Sequence, residues 1–418
     1  MTTRQRAALV TAAILAGAAL GTVQHAKRGA VHIRPTPLVS AVGEMTTSRA
    51  DLEVAMKTAE QTLAADPSDG RAALTFAQAS LRRARIESNG GYTLKAERVL
   101  KAVLAREPGD YNALKMLGAV YMSQHRFREA IEVATRAARV HPKEAWNYGV
   151  IGDAHIELGD YDAAFDAFDT MARLRPDAAA YARVAYAQEL QGRLQDAIRS
   201  MRMAAEATGA QDPESLAWHY AQIGSLLLQT GDIDGAAREF ARAEHAFPGH
   251  PFAEAGVARV AAARGYYDDA LKVYGALMIK APTSEIANAA GDLLAEHGDE
   301  TAAQAMYARA EAIERDAWLT EARLTTNVAR MLAERGVRTA EAVQLAEEAA
   351  RSRKDIFTMD ALAWAYFRAG RFSEAEEASR QARRTGTADH RILAHAAAIE
   401  QALGGGDAAV GASRQIIR

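Results

Sequence analysis

The chain has 418 residues, more than one compact core usually spans, and its 50 basic and 53 acidic residues leave a net charge of −3. Because the charges are balanced and no block of like charge occurs, there is no electrostatic reason to expect nucleic acid as a partner. Cysteine is absent, which excludes disulfides, thiolate catalysis, cysteine-ligated zinc and iron–sulfur clusters.

The N-terminal region has the layout of an export signal. Arg4 and Arg6 precede an uncharged run of 17 residues, Ala7 to Val23, and a basic region followed by an apolar stretch is typical of secretory signals. Cleavage after Ala19-Leu20-Gly21, which resembles an A-x-A site, and retention as a membrane anchor both fit, since this run is near the minimum length for a membrane span. A third interpretation, an ordinary soluble helix, requires a polar face that the run lacks. We therefore predict a signal peptide or membrane anchor over residues 1–26. The protein would be exported to the periplasm or the extracellular space, or anchored in the membrane.

The rest of the chain divides by composition. Pro35 and Pro37 favour an extended linker over residues 27–45. Helical periodicity then continues over residues 46–403, without any sustained alternation typical of strands. Three glycines begin the segment 404–418, and no strand precedes them to build a phosphate-binding loop. We predict a flexible C-terminal tail there.

A repeat of 34 residues runs through most of the region 46–403. Eight positions of one unit and their equivalents 34 residues later are Leu114, Leu117, Gly118, Tyr121, Ala130, Ala134, Ala137 and Pro142, then Tyr148, Ile151, Gly152, His155, Ala164, Phe168, Met171 and Pro176. Further copies begin near residues 217 and 251. The first four positions form one stripe of a helix, and the next three form a stripe of a second helix. The pattern predicts helix pairs, here called the A helix and the B helix of each unit.

These residue types at this spacing resemble the tetratricopeptide repeat family, in its bacterial form with an N-terminal signal or anchor. The resemblance covers most of the chain and implies an all-α, right-handed superhelical α-solenoid of antiparallel helix pairs. We count about nine units with half-units at both ends, one helix near residues 49–65 and one after Asp389. The resemblance also implies binding of peptides along a concave groove.

Glycines recur at two positions of the unit. At position 15, just after the A helix, the chain needs a residue in the left-handed conformation; the glycines there are Gly159, Gly192, Gly231, Gly265, Gly298, Gly336 and Gly370. At position 8, inside the A helix, a missing side chain allows close approach of another helix; the glycines there are Gly118, Gly152, Gly224 and Gly291. Four aspartates follow two of these turns, and they are candidates to cap the B helices that begin there: Asp160, Asp162, Asp232 and Asp234.

The stripe of the A helices opposite the core positions is the candidate binding surface, and the resemblance implies that it lines the groove. Aromatic and polar residues on it predict a site for peptide or helix segments of other proteins: Trp146, Arg183, Tyr186, Trp218, Gln222, Phe252 and Arg259. Buried aromatic residues dominate interface energies. The same rings would also be buried if they packed on the preceding unit, so both uses fit the sequence.

The lysine and asparagine clamp by which chaperone-binding members of the family hold an acidic chain end is not present. Lys115 is followed by Ala119 and Val150 where that pattern needs asparagine. Binding of an acidic C-terminal tail in that manner is therefore not expected.

Motifs of enzymatic chemistry are missing, including the phosphate-binding loop, the nucleophile elbow and the H-E-x-x-H motif. His245 and His250 flank a turn without a carboxylate at metal-ligand spacing. We predict a non-enzymatic scaffold or adaptor at the cell envelope that binds partner proteins, without cofactor or metal and without nucleic acid. The alternative is an assembly factor for cell-envelope polymers or secretion machinery. An enzyme with a site built on the solenoid is less favoured.

Overall fold

The computed structural model describes residues 49–87, 91–321 and 326–404. Within these ranges every regular element is an α-helix, which confirms the all-α prediction. The helices are α1 (Arg49–Ala65), α2 (Gly70–Glu87), α3 (Gly91–Arg106), α4 (Tyr111–Ser123), α5 (Phe127–Val140), α6 (Ala145–Leu158), α7 (Tyr161–Leu174), α8 (Ala178–Leu190), α9 (Leu194–Thr208), α10 (Pro213–Gln229), α11 (Ile233–Ala246), α12 (Pro251–Ala263), α13 (Tyr267–Lys280), α14 (Ser284–Glu296), α15 (Glu300–Glu321), α16 (Thr326–Arg335), α17 (Thr339–Ser352), α18 (Ile356–Arg368), α19 (Phe372–Ala382) and α20 (His390–Gly404). The predicted signal or anchor, the linker and residues 405–418 lie outside the described residues.

In the part of the chain that the structure describes, α2 to α19 alternate as the A and B helices of nine pairs, with α1 before them and α20 after them. Most consecutive helices pack against each other, and α10 also packs against the next A helix, α12. This arrangement is an α-solenoid and confirms the predicted count, including both half-units. The final helix begins after Asp389, whose Oδ1 atom accepts a hydrogen bond from the backbone N–H of Ile392 at 3.0 Å.

The turns after the A helices follow the predicted glycines. All seven glycines at position 15 have positive φ angles, from 64° at Gly336 to 83° at Gly159. The Gly159 N–H bonds to the carbonyl of Ile156 at 3.0 Å, which satisfies one carbonyl at the end of α6. In the unit that begins at Tyr111, the same position is His125, with φ of 56°. The left-handed turn is therefore kept there even without glycine.

One of the four predicted caps is present. Asp162 and Asp234 lie inside the first turns of α7 and α11. Asp232 caps α11, because its Oδ1 atom accepts a hydrogen bond from the N–H of Gly235 at 2.8 Å. Asp160 makes no capping hydrogen bond at the start of α7; its Oδ2 atom lies 3.3 Å from Nδ1 of His155 instead. The prediction for Asp160 is wrong, since an imidazole on the preceding helix offers its carboxylate another partner.

Large B-helix side chains cover small residues of the A helices. Phe240 of α11 is fully buried, and its ring fills the space beside Gly224 of its own unit and Gly256 of the next. Burying such a side chain contributes roughly 1.5–3 kcal/mol. The 34-residue register places Val257 on this core stripe, but Val257 is 41 % exposed. Gly256 takes the core position there because Phe240 packs against it.

The chain forms two compact units, and the boundary falls inside α8, between Val184 and Ala185. The N-terminal unit contains the described residues up to 184 together with 317–321; the C-terminal unit contains residues 185–316 and 326–404. The predicted groove residues fall in both. Trp146 and Arg183 belong to the N-terminal unit, and Tyr186, Trp218, Gln222, Phe252 and Arg259 belong to the C-terminal unit.

Candidate partner-binding surface

The two ends of the C-terminal unit are in contact. His390, the first residue of α20, places Nε2 3.1 Å from the carbonyl oxygen of Gln229, the last residue of α10, 161 residues earlier. The Gln229 side chain donates to Glu189 of α8 at 2.8 Å. A Cβ on Gly192 would lie 2.4 Å from the carbonyl oxygen of Gly386, so these two turns touch. We call these five residues the clasp.

The clasp shows which way the C-terminal unit curves. The helices α8, α10 and α20 are all A helices, so their contact turns the A-helix side of the unit towards the inside of the curve. Burial raises the pKa of Glu189 on α8. Desolvation lowers the pKa of Arg259 on α12, although its side chain is exposed to solvent. Both effects fit a surface surrounded by protein on several sides but still open to water. We call this side the inward face.

On α10, three residues follow one stripe of the inward face. Trp218, Gln222 and Ser225 are spaced four and three residues apart, which places them one above the other on a helix. Each of them is half-buried. The Trp218 ring meets the buried His219 ring edge to face, with centroids 5.1 Å apart. The tryptophan is thus held in place by packing while part of its surface stays accessible. Tyr186 of α8 is also half-buried.

The neighbouring stripe on α12 carries one aromatic ring and one cation. Phe252 is half-buried and stacks on His250, with ring centroids 5.6 Å apart. Arg259, two turns further along, donates from Nη2 to Ser225 Oγ of α10 at 3.0 Å. Its guanidinium carbon lies 5.5 Å from the centre of the Phe240 ring. The structure therefore brings Trp218 and Gln222 of one A helix beside Phe252 and Arg259 of the next.

Arg259 differs from other arginines nearby in its electrostatic surroundings. Among the described residues, its hydrogen bond to the Ser225 hydroxyl is not accompanied by an ion pair; desolvation lowers its pKa, and the nearby Tyr274 opposes that shift. By contrast, Arg242 of α11 is paired with Glu239 at 3.0 Å and also donates to the Tyr220 hydroxyl at 2.8 Å. The guanidinium of Arg259 thus has donors that no described acceptor uses.

In the N-terminal unit, Trp146 of α6 serves partly as core. It is half-buried and packs against the apolar core of this unit, where an added Cβ on Gly118 would lie 3.5 Å from Trp146 Cη2. The ammonium of Lys115 lies 5.2 Å from the centre of the Trp146 ring, a cation–π contact. Burial lowers the pKa of Lys115. The remaining exposed part of Trp146 is what a partner could contact.

Arg183 corrects the predicted groove. Its side chain is only 4 % exposed and forms a two-point ion pair with Asp153 of α6, with Nε–Oδ1 and Nη2–Oδ2 distances of 3.0 and 2.8 Å. Burial raises the pKa of Asp153, and the Arg183 charge opposes that shift. Because the fork of the guanidinium is already occupied, Arg183 is not an available donor for a peptide. It holds α8 against α6.

A buried polar cluster lies beneath the last helix. His395 of α20 places Nδ1 3.0 Å from Asp360 Oδ1 of α18 and stacks its ring on Trp364 at 4.0 Å. Asp360 and Trp364 are 1 % and 4 % exposed. The cluster therefore fixes α20 to the end of the array. The sequence feature that could have indicated this cluster is a histidine on the apolar side of the predicted final helix.

Two further features are absent from the described ranges. No helix there is long and apolar enough to cross a membrane. No group of three or more histidine, aspartate or glutamate side chains in the same ranges is arranged to hold a metal ion.

Three segments of the chain match the tetratricopeptide repeat family: residues 93–150, 150–213 and 221–285. The chain therefore carries tetratricopeptide repeats, and the last of these segments contains Gln222, Phe252 and Arg259. A comparison with curated proteins gives no match.

Several solved structures are similar in fold. One is MamA 41-end from Desulfovibrio magneticus RS-1, with 21 % identity, 43 % of this chain and 95 % of that chain covered, and a TM-score of 0.35. Another is YrrB, a tetratricopeptide repeat protein with an unusual peptide-binding site, with 17 % identity, coverages of 48 % and 97 %, and a TM-score of 0.34. A third is a human IFIT1 dimer with PPP-AAAA, with 15 % identity, coverages of 81 % and 79 %, and a TM-score of 0.46.

Proposed function

We propose that this protein is a non-enzymatic scaffold whose C-terminal unit binds a segment of a partner protein along its inward face. The observation that carries this proposal is the pair of stripes on α10 and α12. Trp218, Gln222 and Phe252 are half-buried and Arg259 is exposed, while the next positions on the same helices belong to the core. Side chains of this kind, rigid and partly exposed, are enriched where proteins bind proteins.

The arrangement suits a polypeptide better than a small metabolite. The stripe from Trp218 to Ser225 spans seven residues, which is about 10 Å along a helix, and a second stripe runs beside it. Apolar rings alternate with amide, hydroxyl and guanidinium groups, which can bond to a peptide backbone. Titratable groups do not converge on one point between these stripes, as they do in a metabolite site.

Site-specific photocrosslinking tests this proposal in the cells that produce the protein. The photoreactive residue p-benzoylphenylalanine is placed at Gln222 on the inward face or at Arg238, which is exposed on the B helix α11. We expect a discrete crosslinked protein from position 222 and none from position 238. Adducts from position 238 alone, or from neither position, would refute binding on the inward face.

We also propose that the protein acts at the cell envelope, exported or anchored. The support is the uncharged run from Ala7 to Val23 behind Arg4 and Arg6. An arginine at Leu15 places a charge in the middle of this run, which costs about 2.5–3.5 kcal/mol for insertion. Leu15→Arg should accumulate in the cytosol. N-terminal sequencing of the wild-type protein separates a cleaved signal, with a start near Thr22, from a retained anchor, and an unchanged distribution of the variant would contradict export.

A further inference from the structure

Arg259 differs from Arg330 and Arg391, two other cations of the inward face, because these two form ion pairs. Nη1 of Arg330 on α16 lies 3.1 Å from Oε1 of Glu334. Nε of Arg391 on α20 lies 3.5 Å from Oδ2 of Asp360. Among the described residues, Arg259 donates a side-chain hydrogen bond to the hydroxyl of Ser225. The inward face thus contains a guanidinium whose charge no carboxylate among the described residues neutralises.

The unpaired charge of Arg259 matters because of where the side chain lies. Surrounding protein desolvates the guanidinium and lowers its pKa, so the cation has lost part of its hydration without gaining an ion pair. A carboxylate that arrives with a partner would replace that hydration and meet a planar fork suited to two parallel hydrogen bonds. Ion pairs gain strength where water is partly excluded.

We propose that Arg259 binds the side-chain carboxylate of an aspartate or glutamate in an extended partner segment, with an apolar residue of that segment packed between Trp218 and Phe252. This inference rests on the proposed function and names the chemistry of the partner. The carboxylate belongs to a side chain within the partner segment. The lysine and asparagine clamp of chaperone-binding family members instead holds the carboxylate at a chain end.

Neighbouring charges limit where the acidic residue can lie. The next A helix, α14, presents Glu285 and Asp292, both exposed, and Asp292 already accepts from the Tyr307 hydroxyl at 2.8 Å. Carboxylates on α14 repel further acidic residues of a bound segment. The proposal is therefore for one acidic position opposite α12, and a uniformly acidic peptide is not favoured.

Selection from a library of displayed peptides tests this inference. Random 12-residue peptides, fused through their C-termini to a phage coat protein, are selected on the full-length protein, on Arg259→Gln and on Arg238→Gln. Because displayed peptides have no free C-terminus, an enriched acid reports a side-chain carboxylate. We expect one aspartate or glutamate at a fixed distance from an apolar residue for the wild type and for Arg238→Gln. The enrichment should be lost for Arg259→Gln.

A peptide-side substitution completes the test without depending on how a protein variant folds. In a selected peptide, synthesised with an amidated C-terminus, changing the glutamate to glutamine should raise the Kd for the wild type by about tenfold or more. The same change should leave the Kd for Arg259→Gln unaltered.

Three outcomes overturn the inference. In the first, the wild type selects peptides without acidic enrichment. In the second, Arg259→Gln still shows the acidic enrichment or the rise in Kd that the peptide substitution causes. In both of these cases peptide binding, and with it the proposed function, still stands. If the wild type selects no peptide at all, both the inference and the proposed function are refuted.

Discussion

The ring of Phe168 on α7 occupies the place where a side chain of Gly152 on α6 would begin: a Cβ on residue 152 would lie 2.3 Å from Phe168 Cε1. In the unit that begins at Tyr111, the residue equivalent to Phe168 is Ala134. A Cβ on Gly118 there has no neighbour nearer than Trp146 Cη2 at 3.5 Å. Glycine inside an A helix is thus required where an aromatic ring faces it, and Gly118 is a natural control.

Alanine substitutions should therefore have opposite effects at two equivalent positions. Gly152→Ala forces the buried ring of Phe168 to move, which costs about 1–3 kcal/mol and exceeds the gain of roughly 0.5–1 kcal/mol from replacing glycine in a helix. Gly118→Ala should give that gain alone. Urea unfolding of the two variants checks this. Equal changes in midpoint would show that Phe168 does not set the requirement.

The clasp predicts a long-range effect of a turn residue. Gly192 and Gly231 have φ angles of 70° and 81°, so alanine is strained at either, but heavy atoms within 4 Å occur only beside Gly192. Gly192→Ala should push away the turn at Gly386 and accelerate hydrogen exchange in α20. Gly231→Ala should leave α20 unchanged. If α20 exchanges alike in the two variants, the turns do not hold each other.

The buried ion pair between Arg183 and Asp153 predicts that the loss of stability on changing one partner depends on whether the other is still present. Arg183→Met leaves the carboxylate of Asp153 buried without its cation, a change that typically destabilises by about 3–5 kcal/mol. Adding Asp153→Leu should recover most of the loss, because the unpaired charge is then removed. Thermal unfolding of both variants is the measurement. A mild effect of Arg183→Met would mean that the guanidinium is free after all.

His219 predicts a pH dependence of stability. Desolvation lowers its pKa from 6.5 to about 4 in the folded protein, so the folded state keeps the imidazole neutral while the unfolded chain takes up a proton below pH 6.5. The stability that His219 contributes is present above pH 6.5 and is lost as the pH falls towards 4, by at most roughly 3 kcal/mol.

Replacing this histidine isolates its share from that of the carboxylates. His219→Gln should unfold with a shallower loss of stability between pH 6.5 and 4 than the wild type, as followed by urea midpoints at several pH values. Parallel curves for the two proteins would contradict a neutral buried imidazole.

Local patterns made most of the fold predictable. The 34-residue spacing determines where the helix pairs lie, and left-handed turns need glycine, so helix count and turn positions followed from sequence. Even the final helix after Asp389 could be placed. Such features depend on neighbours a few residues away, which a single sequence shows directly.

The site was less predictable because it depends on contacts between distant residues. Arg183 and Arg259 occupy comparable stripes of A helices, yet Arg183 is buried against Asp153, whereas Arg259 is exposed and has no ion pair with a described residue. No spacing rule separates them, since the difference comes from what the preceding A helix offers. The contact between His390 and Gln229 joins residues 161 positions apart and has no local pattern.

Hydrogen–deuterium exchange of the full-length protein, with and without a saturating selected peptide, tests the central claim most directly. If the inward face binds a partner segment, the peptide should slow exchange in α10 and α12, around Trp218 and Arg259, and leave the B helices α11 and α13 unchanged. Slowed exchange confined to α11 and α13, or none in α10 and α12, would contradict the account.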